Sequence, residues 1–241
     1  MKIINKIKQR AESLSEHRQP VIAFSGDSVT QGCFEIYVKE GGIVATVFEA
    51  EEAYAEKIKK IFALFFPEAN ITIVNAGISG CSATLGAKRL KDDVLSFKPD
   101  LTVVSYGLND CQQKEGGIEN YKNSLRKIFN DLKENGSEII FLTPNMCADK
   151  VDFSVKEEEL RNIVGHISAV IAEGWLDRYM KEAKKVCEEE NVPVCDCYKI
   201  WKSFYENGID TASLLSNKIN HPTREFQWIF AYELVKMMFE K

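Results

Sequence analysis

The sequence has no long uncharged apolar stretch, no block of like charges, and none of the short motifs typical of nucleotide-binding or zinc enzymes. No apolar run reaches the roughly 18 residues that a membrane-spanning helix needs. The formal net charge is −5, and basic residues are interspersed with acidic ones, so no nucleic-acid partner and no stable membrane insertion are expected. The motifs GxGxxG, GxxxxGKS/T, HExxH and GxSxG are all absent, which argues against nucleotide, metalloprotease and standard α/β-hydrolase sites.

Cysteines are present but not paired in motifs. There are seven, an odd number, and none forms a CxxC motif, which favours reduced thiols over a disulfide scaffold. Cys195 and Cys197 flank Asp196 near a predicted strand end, where a spacing of two would place both thiols on one face. No second group of ligands accompanies them, so a metal site there is not expected.

The N-terminal segment alternates apolar with charged residues. This pattern predicts an amphipathic helix over about residues 1–18 and is unlike the continuous apolar core of a secretory signal. A cytoplasmic location is therefore expected. The length of 241 residues and the 45% hydrophobic content fit one domain spanning residues 1–241.

Short β-rich runs alternate with segments whose apolar residues recur at spacings of three and four. This alternation predicts an α/β fold, a three-layer α/β/α sandwich with a central parallel sheet of about five strands. Covering helices are predicted at residues 51–66 and 118–135. The predicted strands are residues 21–25, 71–75, 101–105, 138–143 and 192–196.

The C-terminal segment and two long connections complete the predicted organisation. Residues 222–241 have an apolar helical face, and Pro222 fits the first turn of that helix, which would place His221 at its entrance. The connections at residues 33–50 and 145–174 exceed ordinary length and predict lids, pocket walls or subunit interfaces. Homo-oligomerisation therefore stays open.

Four short blocks supply chemically useful side chains, and the first three of them follow successive predicted strands. Ester hydrolysis needs a nucleophilic hydroxyl, a base that takes its proton, and donors for the oxyanion of the tetrahedral intermediate. Strand ends in open α/β sheets line the crevice where ligands bind. The blocks, in order, are FSGDS at residues 24–28, NAGISG at 75–80, GLND at 107–110 and HP at 221–222. Together they resemble the GDSL, or SGNH, hydrolase family of serine esterases, whose fold is flavodoxin-like.

The resemblance implies a catalytic role for one residue in each block. Ser28 matches the nucleophile of the family, and His221 matches the base that accepts its proton and returns it to the leaving alcohol. Gly80 and Asn109 match the oxyanion donors, the first through its backbone N–H and the second through its side-chain amide. This chemistry needs no cofactor.

Three neighbouring residues are expected to shape the loops around that site. Asp27 is interpreted as a carboxylate that accepts backbone N–H groups rather than as the acid of a triad. Asn75 and Gly77 are assigned to the loop that carries Gly80.

One position departs from the family pattern. The usual acid is an Asp three residues before the histidine, but Lys218 occupies that position here. Asn217, Asp210 or a backbone carbonyl would have to orient the imidazole, with Asp210 favoured among the side chains, or else Ser28 and His221 act as a dyad. Losing an orienting carboxylate costs roughly 10⁴ in turnover in well-studied serine proteases, so a slow enzyme is one outcome.

The predicted function is therefore a serine esterase that acts on a small-molecule carboxylic ester through an acyl-enzyme, for example by deacetylating a carbohydrate. The same family pattern leaves open a lysophospholipase, a thioesterase or an acyltransferase. A different class, a catalytically impaired ligand-binding protein, is suggested by the missing Asp.

Overall fold

A computed structural model describes residues 1–240 of the chain. Helices and strands alternate along most of its length. Short 3₁₀ turns lie at Ala50–Glu52, Leu95–Phe97, Asp110–Gln113 and Thr211–Leu214. The main elements are α1 (Lys2–Glu12), β1 (Val21–Gly26), α2 (Ser28–Gln31), β2 (Cys33–Lys39), β3 (Ile43–Phe48), α3 (Tyr54–Phe65), β4 (Thr72–Gly77), α4 (Ala83–Asp93), β5 (Leu101–Ser105), α5 (Lys114–Glu134), β6 (Glu138–Leu142), α6 (Glu158–Ala172), α7 (Trp175–Glu189), β7 (Val194–Cys195), α8 (Cys197–Glu206) and α9 (Gln227–Phe239).

In the described residues, five parallel strands form the central sheet in the order β4-β1-β5-β6-β7. The predicted α/β fold with a parallel sheet of about five strands is confirmed, and its five strands lie where the β-rich runs are. Strand β1 is buried between β4 and β5, and the chain proceeds outward from it in both directions. Such a reversal of strand order opens a crevice at the carboxyl ends of the strands.

Helices cover the sheet because their apolar stripes need a partner. Helix α3 packs on α9, which also contacts α1 and β7, while α5 packs against both α4 and α7. The buried side chains of these layers and of the sheet form one large hydrophobic cluster. Within residues 1–240, no helix has the length and apolarity needed to span a membrane.

The first long connection folds into a hairpin that the sequence analysis did not predict. Strands β2 and β3 pair antiparallel and form a separate two-stranded sheet, with a register irregularity between Cys33 and Ile36. The second long connection contributes α6, and the two meet in a small apolar cluster. Its members are Val155, Leu160, Val164 and Ile219, with Ile36, Val38, Val151 and Ile167 packed against them.

Two predicted helix boundaries were wrong. Helix α1 ends at Glu12 rather than near residue 18, because Ser13 is already extended at φ −149°. The C-terminal helix begins at Gln227 rather than at Pro222, and Lys241 lies outside the described residues. Pro222 instead forms a β-bridge with Leu215, so this part of the chain pairs with a neighbouring segment before the helix starts.

The fold also shows whether the cysteines are paired and where they lie. All seven cysteines are free and buried. Cys195 ends β7 whereas Cys197 begins α8, with the Asp196 side chain capping that helix, so the two do not share one strand face as predicted. Within residues 1–240, no cluster of three or more His, Cys, Asp or Glu side chains is arranged to hold a metal ion.

Candidate active site

Ser28 is delivered by a tight turn at the end of β1. It is the first residue of the short helix α2, and the Asp27 carboxylate accepts a hydrogen bond from Val29 N–H at 3.0 Å, as expected for a carboxylate that organises the loop. Gly32 closes the turn at φ +91°, a conformation that glycine adopts without strain. The Ser28 side chain is thereby fixed at the crevice edge of the sheet.

His221 is held by a compact loop before α9. The Asn217 side-chain oxygen accepts hydrogen bonds from the backbone N–H groups of Ile219, Asn220 and His221 at 2.9 to 3.0 Å. Ser216 N–H donates to the His221 carbonyl at 2.8 Å. The backbone of His221 is therefore fixed by a turn and by the adjacent β-bridge, not by the helix entrance that the sequence predicted.

Ser28 and His221 are in direct contact although 193 positions separate them. The Oγ of Ser28 lies 3.0 Å from Nε2 of His221, and Nδ1 of the same ring lies 2.8 Å from the carbonyl oxygen of Phe34. A carbonyl oxygen only accepts, so Nδ1 carries the proton and the Nε2 lone pair faces the serine hydroxyl. In this tautomer the imidazole is ready to accept the hydroxyl proton.

The orienting group is therefore a backbone carbonyl, one of the three alternatives that the sequence left open. Asp210, the side chain favoured in the sequence analysis, accepts instead from Ala212 N–H at 3.2 Å and caps a 3₁₀ turn. Lys218 has a positive φ of 57° and directs its ammonium group to the Ala212 carbonyl. The acceptor, the Phe34 carbonyl, lies in strand β2 of the hairpin, 187 positions before His221 in the sequence.

Burial governs the protonation of His221. Desolvation lowers its pKa below the ordinary value of 6.5, while the hydrogen bond to Phe34 and the negative charge of Glu35 oppose that shift. The net direction is downward, so the imidazole is neutral at pH 7 and available as a base.

Gly80 and Asn109 follow the two strands that flank β1. Gly80 is exposed in the turn after β4 at φ +75°, and a Cβ built there meets no atom within 4 Å. The positive φ, not lack of space, is therefore what favours glycine. Asn109 follows β5, and its side-chain amide donates to the Cys81 carbonyl at 3.1 Å, which ties it to the loop that carries Gly80.

The residues assigned to loop shaping connect the same two loops. Asn75 donates to the Thr30 carbonyl at 2.8 Å and accepts from Gly77 N–H at 3.0 Å. A Cβ on Gly77 would lie 2.3 Å from the backbone nitrogen of Gln31, so no larger residue fits without a shift of the backbone. The close approach of the β4 and α2 loops thus depends on the hydrogen bonds of the Asn75 side chain and on the absence of a side chain at Gly77.

Two further groups at the site were missed by the sequence analysis. The first is Asp110, whose buried carboxylate accepts from Ala83 N–H at 2.9 Å. Burial raises the pKa of Asp110 to about 7 and that of Asp27 to about 7, the latter also through the proximity of Asp110. The only sequence signal for Asp110 was its position directly after Asn109 in the GLND block.

The second missed group is Arg89 on α4. Its guanidinium donates to the carbonyls of Gly26 at 3.2 Å and Ala76 at 2.5 Å, and to Asp93 at 2.6 Å. These two carbonyls lie at the ends of β1 and β4, directly before the loops of Ser28 and Gly80. Arg89 therefore fixes the relative position of those loops.

Comparison with known proteins identifies the family. A model described as the GDSL-like lipase/acylhydrolase family matches residues 24–229, which is most of the chain. This chain belongs to that family. This GDSL hydrolase is accordingly an ester-hydrolysing enzyme, and the resemblance carried by its four sequence blocks is confirmed.

Individual relatives of this GDSL hydrolase are distant in sequence. An acetylxylan esterase from Geobacillus stearothermophilus is 24% identical over 179 residues, which cover 70% of this chain and 72% of that protein. A variant of an acetyl-xylooligosaccharide esterase from Geobacillus has a TM-score of 0.67 and 22% identity, over 92% of this chain and 95% of its own. A two-domain esterase active on acetylated mannans has a TM-score of 0.65 and 16% identity, over 98% of this chain and 52% of its own. These structures share the fold of the GDSL hydrolase.

Proposed function

We propose that this enzyme is a serine esterase that removes a small acyl group, such as acetyl, from a carbohydrate through an acyl-enzyme intermediate. The observation that carries the proposal is the hydrogen-bonded series from Ser28 Oγ through His221 to the Phe34 carbonyl. A hydroxyl, a neutral base and an acceptor that fixes the base are the groups that nucleophilic acyl transfer requires.

In the first half-reaction, Ser28 Oγ attacks the acyl carbonyl while its proton passes to Nε2 of His221. The backbone N–H of Gly80 and the side-chain amide of Asn109 stabilise the oxyanion. The intermediate then collapses when His221 returns the proton to the leaving alcohol. In the second half-reaction, water attacks the acyl-enzyme by the same route, with His221 again acting as base and then as acid.

The Phe34 carbonyl fixes the imidazole but does not carry the full negative charge that an Asp would provide. Glu35 adds negative charge nearby, which favours the imidazolium that forms during both half-reactions.

The substrate part of the proposal rests on the named relatives. Proteins described as esterases of acetylated xylan, xylo-oligosaccharide and mannan share the fold of this chain, and one of them matches it in sequence. These descriptions favour an acetylated sugar as the class of substrate for this chain.

A cytoplasmic location is part of the same proposal. Seven free, buried thiols fit a reducing compartment, where disulfides rarely persist. Fractionation of cells of the source organism, with detection by antibody, tests this point.

The proposal is tested by measuring hydrolysis of p-nitrophenyl esters from acetate to palmitate together with acetate release from acetylated xylo-oligosaccharides. We expect the highest kcat/KM for acetate and measurable acetate release from the oligosaccharide. A chain-length optimum at long acyl groups, with no release from the sugar, would contradict the carbohydrate assignment and favour a lipase or thioesterase.

The pH profile of kcat/KM should report the ionisation of His221. The base must be neutral to accept the Ser28 proton, so activity rises as pH increases through its pKa in the free enzyme. Because burial lowers that pKa, we expect the midpoint of the acid limb below 6.5. The measurement is initial-rate kinetics from about pH 4 to about pH 8.

The Asp110→Asn and Asp27→Asn variants provide the controls for that profile. An inflection caused by Asp110 or Asp27, whose pKa values both lie at about 7, disappears in the corresponding variant, whereas one caused by His221 remains in both. An acid limb with its midpoint above 6.5 in both variants would be incompatible with a buried neutral base.

Asn109→Ala removes one proposed oxyanion donor. The expected result is a fall in kcat of about 10²–10³ with a much smaller change in KM, since the donor acts mainly on the transition state. Asn120→Ala is the matched control, because Asn120 makes a comparable side-chain hydrogen bond to Thr84 on the protein surface. Equal kinetics for both variants would remove Asn109 from the mechanism.

A further inference from the structure

Arg224 lies three residues after His221 and connects the two ends of the hairpin. Its Nε and Nη2 donate to the two carboxylate oxygens of Glu49 at 2.7 and 2.6 Å. Its Nη1 and Nη2 donate to the two oxygens of Glu35 at 2.7 and 3.0 Å. The same guanidinium lies 4.4 Å from the centroid of the Phe34 ring. One cation therefore contacts the start of β2 and the residue directly after β3.

These contacts surround the peptide group whose carbonyl accepts the hydrogen bond from Nδ1–H of His221. The Phe34 carbonyl carbon forms its peptide bond with the nitrogen of Glu35, so Arg224 contacts the residues on both sides of that bond. Its guanidinium stacks on the Phe34 ring and forms a forked ion pair with the Glu35 carboxylate. The Glu49 N–H also donates to the Gly32 carbonyl at 2.8 Å, just before β2. The position of the carbonyl relative to the imidazole thus depends on this cluster.

The hairpin needs such support, because its strands pair only with each other and not with the five-stranded sheet. An isolated two-stranded hairpin is marginally stable in water. The apolar cluster with α6 holds its middle, through Ile36 and Val38. The end next to the active site, with Phe34 and Glu35, is held by Arg224.

We infer that Arg224 is a positioning residue, which holds the Phe34 carbonyl against Nδ1 of His221 through its ion pairs with Glu35 and Glu49. The cluster thereby performs the orienting task of the Asp that Lys218 replaces. This inference rests on the proposed serine-esterase function, and it adds a residue that acts on the base indirectly.

The geometry of the cluster distinguishes it from an ordinary surface ion pair. Exposed pairs stabilise proteins little because both side chains lose rotamer freedom and water screens the charges. Here both carboxylates are bound in a forked arrangement by one planar guanidinium, a geometry that lysine cannot reproduce. The hydrogen bonds to Arg224 lower the pKa of Glu35 and the pKa of Glu49, so the cluster stays charged at neutral pH.

The inference is tested with Arg224→Met and Arg224→Lys, using Arg178→Met as the matched control. Arg178 also pairs with a glutamate, Glu115 at 3.0 Å, and stacks on an aromatic ring, that of Trp175 at 4.8 Å. We expect Arg224→Met to lower kcat by about 10²-fold with little change in KM, because a misplaced base slows the chemical step. Arg224→Lys should restore part of the loss, and Arg178→Met should match wild type within about twofold.

A spectroscopic measurement separates positioning from a general structural role. The proton on Nδ1 of His221 is buried and hydrogen-bonded, so it should give a downfield resonance in ¹H NMR spectra, assigned by its loss in His221→Ala. In Arg224→Met we expect that resonance to broaden or disappear while the backbone amide spectrum remains folded. The Arg178→Met spectrum should retain it.

Two results would overturn the inference. In the first, the kcat of Arg224→Met stays within about twofold of wild type and the Nδ1 proton signal is retained. In the second, Arg178→Met loses as much kcat as Arg224→Met. If Arg224→Met melts below the assay temperature, Glu49→Gln is the deciding variant, since it leaves the Glu35 pair in place. It should lower kcat several-fold and broaden the same resonance, and unchanged values would contradict the inference. Failure of the proposed function would look different, because Ser28→Ala would then retain wild-type turnover.

Discussion

Ser28→Ala should abolish measurable ester hydrolysis, with a loss of kcat on the order of 10⁶, the effect of removing the nucleophile in a well-studied serine protease. The reason is chemical, since no acyl-enzyme forms without the hydroxyl oxygen. Turnover of p-nitrophenyl acetate by purified wild type and variant provides the measurement. Residual activity within about 10-fold of wild type would exclude Ser28 as the nucleophile.

Ser25→Ala controls for the loss of a buried hydroxyl beside the site. Ser25 is buried in β1, and its Oγ lies 2.9 Å from the hydroxyl of Tyr106. Its replacement leaves Tyr106 without that partner and should cost about 1–3 kcal/mol of stability. Hydrolysis at a temperature below the melting transition should nevertheless persist. A melting curve for each variant separates the two effects.

His221→Ala should be nearly as damaging as Ser28→Ala. The serine hydroxyl has a pKa far above 7, and without a base at 3.0 Å from Oγ its proton has no acceptor as the bond to carbon forms. The expected loss in kcat is on the order of 10⁴–10⁶, and the double variant Ser28→Ala/His221→Ala should be no worse than Ser28→Ala alone, because the two groups act as a unit. His166→Ala, on the exposed face of α6, is the matched control. Additive losses in the double variant would show that His221 acts independently of the serine.

The five strands of the sheet were predictable because each carries a continuous apolar or β-branched run between polar turns. Strand β5 is the clearest case, with all five residues buried. Buried parallel strands need such runs, since helices cover both faces. The first three motif blocks then predicted Ser28, Gly80 and Asn109 near one edge of the sheet, and the family resemblance selected His221 as their partner.

The hairpin was not predictable to the same degree. Its exposed strand β3 has no strict alternation, and the register of β2 shifts between Cys33 and Ile36, so the period-two pattern is broken. The start of α9 was misassigned for a related reason. Pro222 suits a helix start in isolation, but long-range pairing with Leu215 decides its conformation.

The acceptor for Nδ1 of His221 could not be identified from side-chain identities. Every residue has a backbone carbonyl, so the sequence carries no signal at Phe34, and only the fold shows which carbonyl faces the ring. The sequence did show that the usual Asp is replaced by Lys218. The structure explains how the base keeps an orienting partner without it.

The central claim is that Ser28 forms a covalent acyl-enzyme, and the most direct test is intact-mass and peptide mass spectrometry after reaction with an organophosphonate ester. We expect one adduct per wild-type chain, located on the peptide that contains Ser28, no adduct in Ser28→Ala, and slow adduct formation in His221→Ala. Labelling that persists in Ser28→Ala, or a wild-type enzyme that hydrolyses esters yet forms no adduct on Ser28, would contradict the mechanism.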